Sequence, residues 1–261
     1  MKANMLSVLI TSYNRPNALA ACLEAIKGMD LDIPYEVVVT DDGSKEEHIS
    51  EIKTLKGIDL LLTSEKNKGL GANLNKGIKA CKGPYILYCQ EDFLLKKTLV
   101  PVLKESFLLL DDGNLDMIRF QANYKFPSLK HVSGHIYKIP HFSFKNFYVN
   151  TFQYSDNPFV TKKEFYKDVG YYLEGERGDY GETEFAIRVI CFKRKIGITQ
   201  PYLVEAHKGS TSTIRKQVVK PKKRTTKKLK RFLRAVRQHL EWILYSKRKR
   251  VLFTYPKKLK E

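Results

Sequence analysis

Cysteine is scarce in this chain. The four present, Cys22, Cys81, Cys89 and Cys191, form no CxxC pair, which speaks against a zinc or thioredoxin-type motif and against a disulfide framework. Three of them lie in apolar segments, where free thiols of a reducing compartment are buried. Long apolar runs are missing too. No stretch approaches the ~18–20 residues that a bilayer span needs. Met1-Lys2-Ala3-Asn4 leads straight into a strand-like segment without a signal-peptide pattern. The expectation is a protein made and kept in the cytoplasm. Acid is what the C-terminal stretch lacks: residues 215–261 hold 19 Lys and Arg against two acids, Glu241 and Glu261. Of a formal net charge of +19, this tail carries +17 and the other 214 residues only +2. The basicity therefore belongs to an appended segment.

What is present is an alternation of short apolar runs and helical patterns. Leu6–Thr11, Tyr35–Thr40, Ile58–Thr63 and Tyr85–Cys89 read as buried strands. Between them, Leu19, Cys22, Leu23 and Ile26, then Ile49, Ile52 and Leu55, then Leu74, Ile78 and Cys81 recur at helical spacing. This β-α-β-α-β-α-β order predicts an α/β protein with a mainly parallel sheet covered by helices on both faces. Three strands end in polar or acidic turns: Ser12-Tyr13-Asn14-Arg15-Pro16, Asp41-Asp42-Gly43-Ser44 and Gln90-Glu91-Asp92. Open α/β sheets bind ligands outside the carboxyl ends of their strands, and carboxylates there suit a hard divalent cation that holds phosphate oxygens. The second half is less regular. It predicts a helix near Leu99–Leu110, a strand at Asp116–Gln121, loops and short strands over 122–160 that cover one end of the sheet, a capped short helix at Thr161–Val169 and a helix from Glu182. Ile196–Ile198 and Tyr202–Val204 read as strands. The expected division is 1–213, with halves 1–97 and 98–213, followed by a tail over 214–261.

The order SYNRP, DDGS, NKGLG…NKGI, QED, GETEFAIR and HKGS resembles the inverting nucleotide-sugar glycosyltransferases of family 2, which have the GT-A fold. The resemblance runs from about Leu6 to Thr213. It implies a nucleotide-sugar donor, a Mn²⁺ or Mg²⁺ cofactor and a glycan or glycolipid acceptor. It also implies that Asp41 or Asp42 contacts the nucleotide, with Thr11, Tyr13 and Arg15 lining the same pocket. Asp92 falls on the family's metal-binding acid, with His207 as a further ligand or phosphate contact. Glu182 falls on its catalytic base, at the head of a helix whose dipole would favour the ionised form. Glu184 and Asp179 stand behind it.

Three departures accompany the likeness. Gln90 replaces an acid of the metal turn, so it would meet a ribose hydroxyl without adding charge, and either the metal is held more weakly or Glu91 contributes. Leu74 replaces an arginine, so the nucleotide's cation would be Lys76 or Lys68. Gly181 replaces the acid before the base. A nucleotidyltransferase, or a basic scaffold with a degenerate site, is the alternative reading.

The tail has its own pattern. Leu229, Phe232, Leu233, Val236, Leu240, Ile243 and Leu244 share one face of a helix, with cations on the other sides. A basic amphipathic helix of this kind suits an anionic membrane surface. Residues 222–250 are expected to hold the protein at the inner face of the cell membrane, beside a lipid-linked acceptor of surface-polysaccharide assembly. Packing on its own domain or on a second copy in a homo-oligomer is the alternative. No nucleic-acid motif is present, and no nucleic-acid partner is expected.

Overall fold

The computed structural model describes residues 5–206 and 224–255. The first half follows the predicted alternation: β1 (Leu6–Ser12), α1 (Pro16–Gly28), β2 (Tyr35–Asp41), α2 (Glu46–Thr54), β3 (Leu60–Leu62), α3 (Leu70–Ala80) and β4 (Tyr85–Gln90). Then come β5 (Phe93–Leu95), α4 (Leu99–Asp111), β6 (Met117–Arg119), β7 (Lys130–Ser133), β8 (Ile136–Lys138), β9 (Phe159–Lys162) and α5 (Phe165–Val169). The chain continues through α6 (Gly178–Cys191), β10 (Ile196–Thr199), β11 (Val204–Ala206) and α7 (Arg224–Leu244).

Nine strands form one sheet in the order β3-β2-β1-β4-β9-β6-β10-β8-β7. β9 and β8 run against the other seven, so the sheet is mainly parallel. Alternation along the strands divides the core. Val8 and Ile10 pack with Leu19, Cys22, Ile52 and Phe107 on the face of α1, α2 and α4. Leu9 and Val38 pack with Leu74, Ile78, Phe165 and Phe185 on the face of α3, α5 and α6. Gly77 is where α3 meets the sheet most closely. A Cβ there would lie 2.3 Å from Leu9 Cδ1 and 2.8 Å from Thr40 Cγ2.

One expectation needs correction. Thr161 opens no helix. Phe159, Val160 and Thr161 form the centre of β9, which fills the gap between β4 and β6; these β-branched and aromatic residues suit a buried strand better than a first helical turn. Within 122–160 the expected short strands are β7 and β8, which extend the sheet at its far edge. The four cysteines are free, and Cys22, Cys81 and Cys89 are buried.

Candidate active site

The strand order reverses at β1, which pairs with β2 on one side and β4 on the other. The carboxyl ends of these three strands therefore open onto a common crevice. At the end of β2, Asp41 closes its own turn: its carboxylate accepts the backbone N–H of Ser44 at 2.7 Å and the Ser44 hydroxyl at 2.5 Å. Asp42 reaches further. It accepts the backbone N–H groups of Lys68 and Gly69, each at 2.9 Å, and so fixes the loop that starts α3. Lys76 Nζ donates to the Asp41 carbonyl and the Ser64 hydroxyl, both at 2.8 Å. Burial raises the Asp42 carboxyl and lowers the Lys76 ammonium from their ordinary values. Thr11 is buried, with its hydroxyl 3.2 Å from that of Tyr88; it supports the crevice floor. Tyr13 and Arg15 are partly exposed at its edge.

The turn after β4 is cationic as well as acidic. Arg15 Nη1 lies 3.1 Å from Asp92 Oδ2 and 3.7 Å from Glu91. Burial and the neighbouring Asp92 charge raise Glu91 to about 7. Gln90 turns away from this pair, and its amide donates to the backbone carbonyl of Asp156 at 3.2 Å. That bond carries the β4 turn to the third part of the site.

There the Asp156 backbone N–H donates to Glu182 Oε1 at 3.3 Å, and the Tyr154 hydroxyl donates to Asp156 Oδ1 at 2.6 Å. Arg119, buried at the end of β6, holds this segment by donating to the carbonyls of Phe152 and Gln153 at 2.8 and 3.0 Å and to the Ser155 hydroxyl. Burial raises Asp156 to about 8, with the Glu182 charge adding to it. Burial, with the Asp179 charge, also raises Glu182, and the Asp156 N–H and the Arg119 charge oppose that rise. Glu182 is the fifth residue of α6, since the helix begins at Gly178. The dipole effect falls off within the first turn, so it gives this carboxyl little help; the polar contacts of Asp156 and Arg119 take its place.

Glu182 lies between two hollows. One, of about 140 Å³, is lined by Arg119, Tyr124, Ser155, Thr183 and, from α7, Gln238. The other is a slot between α3 and α6, lined by Leu70, Gly71, Asp156, Leu173 and Arg177. The residues after α5 form the slot's outer wall. Asn75 binds them in both directions, donating to the Tyr172 carbonyl at 3.0 Å and to Glu174 Oε1 at 2.7 Å, and accepting the Tyr172 N–H at 2.9 Å.

Asp42, through Lys68 and Gly69, thus adjoins the slot that reaches Glu182. Asp92 and Gln90 come from the turn that touches Asp156. Glu184 does not join them. Its carboxylate is fully buried, 2.9 Å from Arg188 and 3.8 Å from Arg250, and it accepts from the Tyr245 hydroxyl. It ties α6 to the segment around α7. Asp179 pairs with Arg177 on the exposed first turn of α6 at 3.1 Å. His207 lies outside the described residues. Asp156 and Arg119 were missed by the sequence analysis. The available signals were an Asp-Asn-Pro turn in a stretch without periodicity and a single cation inside the apolar run Met117-Ile118-Arg119-Phe120.

The metal reading has one test in these residues. Asp92 Oδ1 is buried and has no hydrogen-bond partner, so one carboxylate oxygen is available. Among the described residues, no group of three or more His, Cys, Asp or Glu surrounds a common point. A single protein carboxylate suits a Mg²⁺-like ion that keeps its waters and takes its remaining ligands from phosphates.

The chain is 29% identical over 94 residues to the putative glycosyltransferase EpsH of Bacillus subtilis (strain 168) and 32% identical over 118 residues to the hyaluronan synthase of Pasteurella multocida. These matches cover 35% and 43% of this chain, but only 27% and 12% of those relatives. Among solved structures, Staphylococcus aureus TarS 1–349 in complex with UDP-GlcNAc superposes with a TM-score of 0.62 at 18% identity, over 94% of this chain and 69% of that one. The mannosyltransferase PcManGT of Pyrobaculum calidifontis, in complex with GDP-Man and Mn²⁺, gives 0.56 at 17% identity over 92% and 64%. The model of the family described as glycosyl transferase family 2 matches residues 7–170, so the chain belongs to that family and has the GT-A fold.

Proposed function

We propose that this protein is a glycosyltransferase that moves a sugar from a nucleotide-sugar donor to an acceptor hydroxyl with inversion at the anomeric carbon. The observation that carries this reading is the Asp156–Glu182 pair, set between two hollows and beside the β4 turn. The slot side takes the donor, and the larger hollow takes the acceptor hydroxyl. Asp42 is the nucleotide contact, because two of its roughly four lone-pair sites remain after Lys68 and Gly69 and, unlike Asp41, it is not closed into its own turn. Tyr13 and Arg15 edge that pocket. Lys76 and Gln90 act through others, bracing the Asp41 carbonyl and the Asp156 carbonyl.

Glu182 is the general base. It removes the proton of the acceptor hydroxyl as the oxygen attacks the anomeric carbon, while the bond to the diphosphate breaks on the opposite face. The Asp156 N–H aims one Glu182 oxygen, and Asp156 itself stays mostly protonated near neutral pH, so it does not compete for the role. Asp92, with Glu91 beside it, would hold Mn²⁺ or Mg²⁺, which when bound supplies positive charge for the departing diphosphate. The enzyme is read as a peripheral protein of the inner membrane face in polysaccharide assembly. No helix among the described residues is long and apolar enough to cross a membrane.

A thermal-shift panel of UDP, GDP, ADP and CDP, with and without Mn²⁺, tests the donor half. One nucleotide should raise Tm, with a larger shift when Mn²⁺ is present and a smaller one in D92N. No shift with any nucleotide would favour a degenerate scaffold. Turnover that survives in E182Q would favour nucleotidyl transfer, which needs no base there.

A further inference from the structure

The C-terminal helix packs the opposite way from an ordinary surface helix. At 100° per residue, Arg234, Ala235, Gln238, Glu241 and Trp242 occupy one arc. That arc faces the domain: Ala235, Gln238 and Glu241 are buried. Gln238 accepts from the Thr151 hydroxyl at 3.1 Å, and Glu241 accepts the backbone N–H of Phe253 at 2.8 Å. The opposed arc holds Leu229, Phe232, Leu233, Leu240, Ile243 and Leu244, all exposed, Ile243 to 76%. A second chain segment extends this arc. Phe142 and Phe144 pack edge-to-face at 5.1 Å, and Phe144 is 85% exposed. Phe142 lies 6.3 Å from Trp242, and Phe147 lies 5.9 Å from Phe232.

An exposed apolar patch of this continuity marks an interaction site. We infer that the outer face of α7 and the Phe142–Phe144 loop together form a docking surface for an anionic lipid leaflet. Charge selects this occupant. The helix Arg224–Leu244 has seven Lys and Arg; Arg234 and Arg237 are held by Tyr124 and Tyr255, but Lys228, Lys230 and Arg231 are exposed, as is Lys145 beside Phe144, and the helix's one acid, Glu241, is buried. A second copy would bring the same positive charge to the contact. A nucleic acid would meet the cations and leave the apolar arc in water. A leaflet with acidic headgroups satisfies both, and a Trp at the patch edge is suited to the interface.

The placement also narrows the acceptor class, a step that rests on the acceptor reading of the larger hollow. Gln238 lines that hollow from the inner arc of the same helix. The hollow therefore sits about one helix diameter, ~10 Å, from the docking plane. The acceptor hydroxyl would belong to a sugar carried on a lipid, with its headgroup at the bilayer surface.

Trp242, the single tryptophan of the chain, lies 6.3 Å from Phe142 and reports on the edge of the patch. With mixed phosphatidylglycerol–phosphatidylcholine vesicles, the full chain should sediment and its fluorescence should shift to the blue. Phosphatidylcholine alone should give neither effect. The double variant F144S/I243S, altered only at exposed positions, should keep the wild-type Tm and lose vesicle partitioning by ~10-fold or more. Equal partitioning of the variant would overturn the proposal by showing binding through charge alone. Absence of vesicle binding, with a concentration-dependent dimer that F144S/I243S dissolves, would assign the patch to a second copy instead. Neither readout involves a nucleotide, so failure here is separable from failure of the donor panel.

Discussion

The Asp156–Glu182 pair invites a paired perturbation, E182Q against D156N. Asp156, raised to about 8 by burial and the Glu182 charge, stays mostly protonated at pH 7. Asn therefore resembles the form that Asp156 already holds, and its Oδ1 can still accept from the Tyr154 hydroxyl. Glu182 has no such substitute as a base. Replacing it by Gln should lower turnover by about 10²–10⁴-fold, whereas D156N should stay within about three-fold at pH 7. The pH behaviour separates them further. A base must be ionised, and burial raises Glu182, so the wild-type rate should climb with pH through a pKa above that of an ordinary carboxylate. Stability has the opposite sign. Because the folded state binds the Asp156 proton more tightly than the unfolded chain does, its contribution is fully present below about pH 4 and is lost as pH rises through about 8. D156N should flatten that loss. The assay is nucleoside diphosphate release from UDP-GlcNAc or GDP-mannose with water as the slow acceptor, alongside Tm across pH 5 to pH 9. If D156N lost about 10²-fold or more of its turnover while E182Q retained most of its own, the base would be Asp156 and the assignment above would fall.

Two further substitutions test the scaffold around this pair. E184A leaves Arg188 buried without its partner at 2.9 Å, which should cost about 3–5 kcal/mol of stability. Turnover per folded molecule should hold; a loss of turnover at unchanged Tm would return Glu184 to the chemistry. G77A forces a Cβ against Leu9 and Thr40 and should destabilise by about 1–3 kcal/mol, read as a fall in Tm; an unchanged Tm would mean that α3 rides further from the sheet.

The sequence by itself determined the elements and their order. Strand and helix periods are local, so β1 to β4 with their intervening helices could be read from apolar spacing, and so could the acidic turns at three strand ends. The amphipathic arc of α7 was likewise written in residues 229–244. Tertiary structure decided the rest, because it depends on which segments meet. Gln90 reads as a substrate contact in the sequence, and only the fold shows that β9 and the 153–157 segment bring the Asp156 carbonyl against its amide as well. Glu182 and Glu184 look interchangeable in Glu182-Thr183-Glu184. Two residues on a helix point about 200° apart, which turns one toward a hollow and the other toward Arg188 and Tyr245. Which arc of α7 faces the protein was also not legible, since hydropathy favours burying the leucines. Polar partners waiting at Thr151, Tyr124 and the 253–254 backbone turned the helix the other way and left its apolar side to whatever surface the enzyme meets.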